Sequence, residues 1–312
     1  MQEIKEFAPV VIPTLNRHVH FRRLIESLAK CTHADKTEVV IGLDYPPSEK
    51  YVEGYEKIRE YLPTITDFKK VTVLTTDFNL GVVENCRRCY DYVYQYYDTY
   101  IFSEDDNEVS PCFLDYMNKA LTKYKDNPDV IAISGYNYPI DVAGYDKNVF
   151  ALQNFTAWGV GMWKNKVTLP DDFQAYCKNI IKSPRFLYKI YKKDWRLMFG
   201  LTQCALLGYR YGDSIRTLKC ILEDKYCIYP TRTLVKNWGL DGTGLHCGCA
   251  SGKGLLFNSQ KVSNIGTFVL DDIEISECQL SSRCRKILTG DFRNRIVRLI
   301  KIVRNLMKLL LV

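Results

Sequence analysis

The chain predicts an α/β protein: a mostly parallel, Rossmann-like sheet flanked by helices, ending in a C-terminal amphipathic helix. Three observations predict it. Short β-branched runs alternate with helical stretches over the first 140 residues. With 312 residues, 46% of them apolar and 25% charged, the chain can bury a large core and is neither disordered nor a disulfide-stapled miniprotein. The last thirty residues join a helical apolar period to an excess of basic groups.

The elements follow in order. Pro9-Val10-Val11-Ile12-Pro13 is a short strand closed by proline, and Phe21, Leu24, Ile25 and Leu28 then share one helix face. The unit recurs as a strand from 38 to Asp44 before a helix from Ser48 to Tyr61. It recurs again as a strand from Lys70 to Thr75 before a helix from Val82 to Tyr97. A fourth strand, Thr99 to Ser103, runs into three acids. Ser110 and Pro111 read as N-cap and first residue of a helix reaching Tyr124, and Asp129 to Ser134 is another buried strand. In such sheets ligands bind beyond the carboxyl ends of the strands.

After residue 140 the sequence turns aromatic and glycine-rich around Trp158 and Trp163. Helical stretches then cover 171 to 224, an extended segment runs from Ile228 to Lys236, and a glycine loop follows to His246. The expected organisation is one continuous domain over 1–282, with a nucleotide-type half at about 1–140 and an acceptor-type half at 141–282, followed by a tail at 283–312.

The formal charge of +7, from 43 Lys and Arg against 36 Asp and Glu, is unevenly placed. The tail holds nine basic residues and one acid, a balance of +8. The preceding 282 residues hold 34 and 35, a balance of −1. A neutral body without a basic stripe argues against a nucleic-acid partner. The twelve cysteines are scattered through apolar segments, and no secretory signal opens the chain, so reduced thiols and a cytoplasmic setting are expected. Cys86 with Cys89 and Cys247 with Cys249 lack the spacing of a zinc ribbon or finger.

Glu104-Asp105-Asp106 is the chemical centre. Three consecutive carboxylates repel one another unless a cation sits between them, and a hard divalent metal with oxygen ligands is an economical solution. Extended backbone would turn Glu104 and Asp106 to one side and Asp105 to the other. A solvated acidic turn is the plain alternative.

The order of Pro9-Val-Val-Ile-Pro-Thr-Leu-Asn-Arg17, Val-Val-Ile-Gly-Leu-Asp44, Asn79-Leu-Gly81 and Phe102-Ser-Glu-Asp-Asp106-Asn-Glu-Val-Ser-Pro111 resembles the nucleotide-sugar glycosyltransferases of the GT-A fold. The likeness is to family 2-like and N-acetylglucosaminyltransferase I-like enzymes, and it spans about residues 8 to 250. It implies a UDP-sugar donor and Mn²⁺ or Mg²⁺, with Asp106 on the metal and Glu104 and Asp105 on ribose or metal-bound water. It further implies Asp44 at the base, Arg17 at the donor phosphates and Asn79 in the donor site. Asp213, in Tyr-Gly-Asp-Ser-Ile-Arg, matches the position of the carboxylate base of an inverting enzyme, although Ile215 stands where the family has Trp; Asp171 and Asp172 compete for that role. The late segment from Tyr229 to His246 also resembles such enzymes, and His246 becomes a metal or diphosphate contact. Trp158 and Trp163 are either a sugar-stacking wall or core.

From Phe292 to Val312, Ile296, Leu299, Ile300, Val303, Leu306 and Met307 fall on one half of a helix, with Lys301, Arg304 and Lys308 on the other. This describes a helix lying on an anionic membrane surface, or else one covered by the body or by a second copy of the chain. The resulting expectation is a peripheral enzyme at the cytoplasmic face that moves sugar to a glycan acceptor, lipid-linked, in cell-surface polysaccharide synthesis. A nucleotidyltransferase and a non-catalytic, membrane-tethered sugar-binding protein are the competing functions.

Overall fold

The computed structural model describes residues 6–166, 170–209, 212–243, 254–289 and 292–310. In chain order the strands are β1 (Val10–Thr14), β2 (Glu38–Leu43), β3 (Lys70–Leu74), β4 (Thr99–Phe102), β5 (Asn107–Val109), β6 (Val130–Ser134), β7 (Val149–Leu152), β8 (Val160–Trp163), β9 (Tyr226–Pro230) and β10 (Val235–Asn237). The helices are α1 (His18–Ala29), α2 (Val52–Tyr61), α3 (Val82–Tyr96), α4 (Phe113–Lys123), α5 (Phe173–Ile181), α6 (Pro184–Asp194), α7 (Leu197–Leu207), α8 (Gly212–Leu222), α9 (Gly254–Asn258), α10 (Gln279–Thr289) and α11 (Phe292–Leu310).

Eight strands form one sheet in the order β3-β2-β1-β4-β8-β6-β9-β7. β1 to β4 run parallel; β8 lies antiparallel between β4 and β6, and β7 antiparallel on the far edge. The sheet is therefore mostly parallel and flanked by helices. β1 and β2 are buried almost throughout, which explains their unbroken Val and Ile runs, while the edge strand β3 is only half-buried and mixes Lys and Thr with Val. β7 and β8 arise from the aromatic and glycine-rich stretch, where no strand was expected. A separate two-stranded sheet pairs β5 with β10 antiparallel, Asn237 lying opposite Asn107.

One expected helix start is corrected. α4 begins at Phe113 rather than at Pro111, and Ser110 does not cap it. The Ser110 N–H instead donates to the Leu234 carbonyl at 2.8 Å beside β10, and Pro111 and Cys112 form a turn before the helix begins.

Two apolar clusters result. The larger fills the space around the sheet, and the smaller joins α5 to α8 with α11. Leu299, Ile302, Leu306 and Leu309 of α11 belong to the smaller cluster, and Asn305 donates to Thr202 of α7 at 3.1 Å. The opposite stripe of α11 is bare: Ile300 is 65% exposed, Met307 60% and Val303 54%. Lys301, Arg304 and Lys308 are exposed beside it. Among the described residues no helix is long and apolar enough to cross a membrane.

Candidate active site

β1, β2 and β4 end side by side, so the residues that follow them meet at one edge of the sheet: Arg17 just before α1, Asp44 after β2, and Glu104 to Asp106 after β4. Residues 105 and 106 form a turn, not extended chain, which corrects the expected alternation. The turn brings Asp105 and Asp106 together on the Arg17 guanidinium, with Glu104 next to Asp106 but outside that ion pair.

Arg17 is the cation between them. Its guanidinium reaches Asp106 at 2.7 Å and also pairs with Asp105. Burial alone would lower the Arg17 pKa, but the two carboxylates outweigh it and raise it. Thr14 Oγ1 donates to Asp105 at 2.8 Å, and Asn237 Nδ2 donates to Asp106 at 2.5 Å. Arg17, expected at the donor phosphates, engages both carboxylates through two of its five N–H donors and holds them in orientation.

Gly239 closes this pocket. A Cβ there would lie 2.2 Å from Asp106 Oδ2, so only glycine lets the 237–243 loop approach the carboxylate. The loop is tied down from several sides: the Trp238 N–H donates to the Asp106 carbonyl, Trp238 Nε1 donates to Glu108, and His20 meets Asp241 at 2.8 Å.

Glu104 differs from its neighbours. No hydrogen bond reaches its carboxylate from the described residues, and its pKa is pushed up to about 8 by burial first, then by the charges of Asp106, Asp213 and Asp105. Among the described residues no three His, Cys, Asp or Glu side chains form a ready metal cage. Hard divalent ions in nucleotide sites need only one or two protein carboxylates, with water and phosphate completing the shell. The unpartnered Glu104 beside the fixed Asp106 is an all-oxygen donor set of that kind, so the residues fit Mn²⁺ or Mg²⁺.

Asp44 and Asn79 are brought together. Asp44 Oδ1 accepts from the N–H groups of Tyr45 and Leu80, and Oδ2 accepts from Gly81 N–H at 2.9 Å and Asn79 Nδ2 at 3.1 Å. Gly81, with φ of 76°, takes a positive-φ backbone that suits glycine, and its N–H meets the carboxylate there. Asp44 thus fixes the shape of the loop before α3.

Asp213 lies in the first turn of α8 and lines a cavity of about 410 Å³ with Tyr138, Trp158, Arg196, Phe199 and Phe257. One carboxylate oxygen accepts from the Ala157 N–H at 3.1 Å. Solvent reaches it through the cavity while protein crowds its other sides, and that desolvation raises its pKa. Its charge is felt by Glu104, which links the cavity to the acidic turn. Trp158 is at this cavity; Trp163 is buried in β8 under the Lys166 ammonium. Asp172 caps α5, accepting from the Ala175 N–H. His246, Cys247 and Cys249 lie outside the described residues.

Sequence reasoning missed Thr14 and Asn237, whereas Gly239 was expected to let the backbone approach an anionic group closely. Asn237 carried a faint signal, since Asn-Trp-Gly follows a strand, but nothing in the chain announces its partner 131 residues earlier.

No family model matches the chain, and no curated protein matches it. Similar solved structures include the mannosyltransferase PcManGT from Pyrobaculum calidifontis in complex with GDP-Man and Mn²⁺, at 13% identity and a TM-score of 0.39, covering 71% of this chain and 72% of that one. S. aureus TarS matches at 15% identity and a TM-score of 0.31, over 50% of this chain and 28% of TarS. Its 1-349 portion matches at 14% identity and a TM-score of 0.35, over 54% of this chain and 51% of that one.

Proposed function

We propose that the protein is a metal-dependent glycosyltransferase that moves a sugar from a nucleotide-sugar donor, of the UDP type, to a glycan acceptor. The observation that carries this reading is the buried Asp105 and Asp106 pair at the carboxyl end of β4, clamped by Arg17 and Asn237, with the unpartnered Glu104 beside it. Asp106 and Glu104 would hold Mn²⁺ or Mg²⁺, which when bound neutralises charge on a leaving diphosphate. Asp44 and Asn79 shape the loop on which the base rests. The cavity orients an acceptor against Trp158, and Asp213 takes the proton of its attacking hydroxyl, with inversion at the sugar carbon. Incubation with a panel of UDP- and GDP-sugars plus Mn²⁺ should release nucleoside diphosphate from at least one donor. Silence across the panel, with and without glycan acceptors, removes the assignment.

The tail completes the proposal. The bare stripe of Ile300, Val303 and Met307 next to Lys301, Arg304 and Lys308 suits the headgroup region of an anionic bilayer, where each basic group contributes about 1 kcal/mol. A peripheral setting is part of this reading, and the ten free cysteines among the described residues suit the cytoplasmic face. The acceptor is then lipid-linked, as in cell-surface polysaccharide synthesis. Replacing Ile300, Val303 and Met307 by Ser in the full chain should weaken flotation with anionic vesicles about a hundredfold. Unchanged flotation would remove the membrane role.

A further inference from the structure

The cavity beside Asp213 has a second charged residue in its wall. Among the described residues that line it, Asp213 is the one acid and Arg196 the one base. Arg196 stands between α6 and α7 with its side chain 24% exposed, and Asp194, at the end of α6, is buried against it.

A guanidinium carries two forks of paired N–H donors, a side-on one at Nε and Nη2 and an end-on one at Nη1 and Nη2. Asp194 fills the side-on fork: Nε donates to its Oδ1 at 2.8 Å, and Nη2 pairs with its Oδ2. The Arg196 backbone N–H donates to the same Oδ1 at 3.1 Å. This pair joins residues two apart, so it ties no distant parts of the chain together. What it does is fix the plane of a guanidinium whose end-on fork takes no acceptor among the described residues.

The cavity indicates what meets that fork. A carboxylate matches it with two parallel N–H bonds. Trp158, Phe199 and Phe257 offer ring surface to the C–H face of a sugar, in a volume of about 410 Å³ that suits a small ligand. Asp194 already offsets the guanidinium charge and Asp213 adds a negative one. A doubly charged phosphate would be repelled there, whereas a singly charged carboxylate is held by geometry.

We infer that the sugar acceptor is acidic, a uronic-acid type ring whose carboxylate is received by the end-on fork of Arg196, with Asp194 as the positioning residue for that fork. This rests on the reading of the cavity as the acceptor site.

The test titrates sugars into the full chain and its Arg196→Met and Arg196→Lys variants by ligand-observed NMR, with a thermal melt of each. The probes are methyl glucuronide against methyl glucoside, and methyl galacturonide against methyl galactoside. Each pair differs by a carboxylate in place of a hydroxymethyl group. The parent chain should prefer the acidic member of at least one pair by about tenfold to a hundredfold. Arg196→Met should bring the two members together by losing the acidic one. Arg196→Lys should keep part of the preference, because it retains the charge without the planar fork; it carries the test if Arg196→Met does not fold. Equal binding of both members by the parent chain overturns the inference, as does an undiminished preference in the folded variants. An equal loss of both members in the variants marks a merely structural role and also overturns it. Glucose phosphate, run beside them, overturns the choice of carboxylate if it binds more tightly than either uronide. A parent chain that binds none of these sugars overturns the acceptor reading of the cavity itself, and this inference with it.

Discussion

Asp106→Asn should lower kcat/KM by on the order of 10³ while the chain stays folded. The substitution is isosteric, so the Asn237 and Trp238 contacts that fix this turn can persist around it. It removes the charge that a divalent ion needs, and it leaves Arg17 paired with Asp105 alone. Losing one charge-assisted hydrogen bond costs about 1 to 3 kcal/mol of stability, offset in part because Glu104 loses a repelling neighbour. Initial rates across a Mn²⁺ titration, with a thermal melt as control, check this. A variant that retains parental kcat/KM at every Mn²⁺ concentration would falsify the metal role of Asp106.

Asp213→Asn should lower kcat by roughly 10² to 10⁴, the range for loss of a positioned general base, with little change in acceptor KM. The amide keeps the acceptor side of the Ala157 contact, so α8 should hold its start. The pH profile gives a second readout. A base acts only when deprotonated, so activity falls as pH drops through its pKa. Desolvation raises the Asp213 pKa, which moves the acid limb to higher pH than an ordinary aspartate would give. The residual activity of Asp213→Asn should lack that limb. A parental kcat, or a limb that survives the substitution, would assign the base elsewhere.

The parallel half of the fold was legible because its short apolar runs alternate with amphipathic helical stretches, a pattern set by local sequence. β7 and β8 were not, since each is four residues long and is a strand only because distant partners flank it: β4 and β6 for β8, and β9 for β7. The site divides in the same way. Arg17, Asp44 and the acidic triplet follow strands and could be placed at one sheet edge before any coordinates. Asn237 and Gly239 arrive through the small β5 and β10 sheet, a pairing with no local signature. The orientation of the triplet was misjudged because a tight turn, set by tertiary contacts to Asn237 and Trp238, replaced extended backbone. In the tail, the apolar period was visible, but one half-circle hid two stripes: Leu299 and Leu306 face α7, while Ile300, Val303 and Met307 do not.

Those two stripes give the last helix a double allegiance. Cutting the chain before α11 to obtain a more tractable protein would uncover Thr202 and the apolar residues around it on α7, exchanging one bare apolar stripe for another. Because α7 also contributes Leu197, Phe199 and Gly200 to the cavity beside Asp213, the same excision would loosen one wall of that cavity. Residues that look dispensable by position are thus part of the scaffold, and solubility is better sought by editing the outward stripe alone.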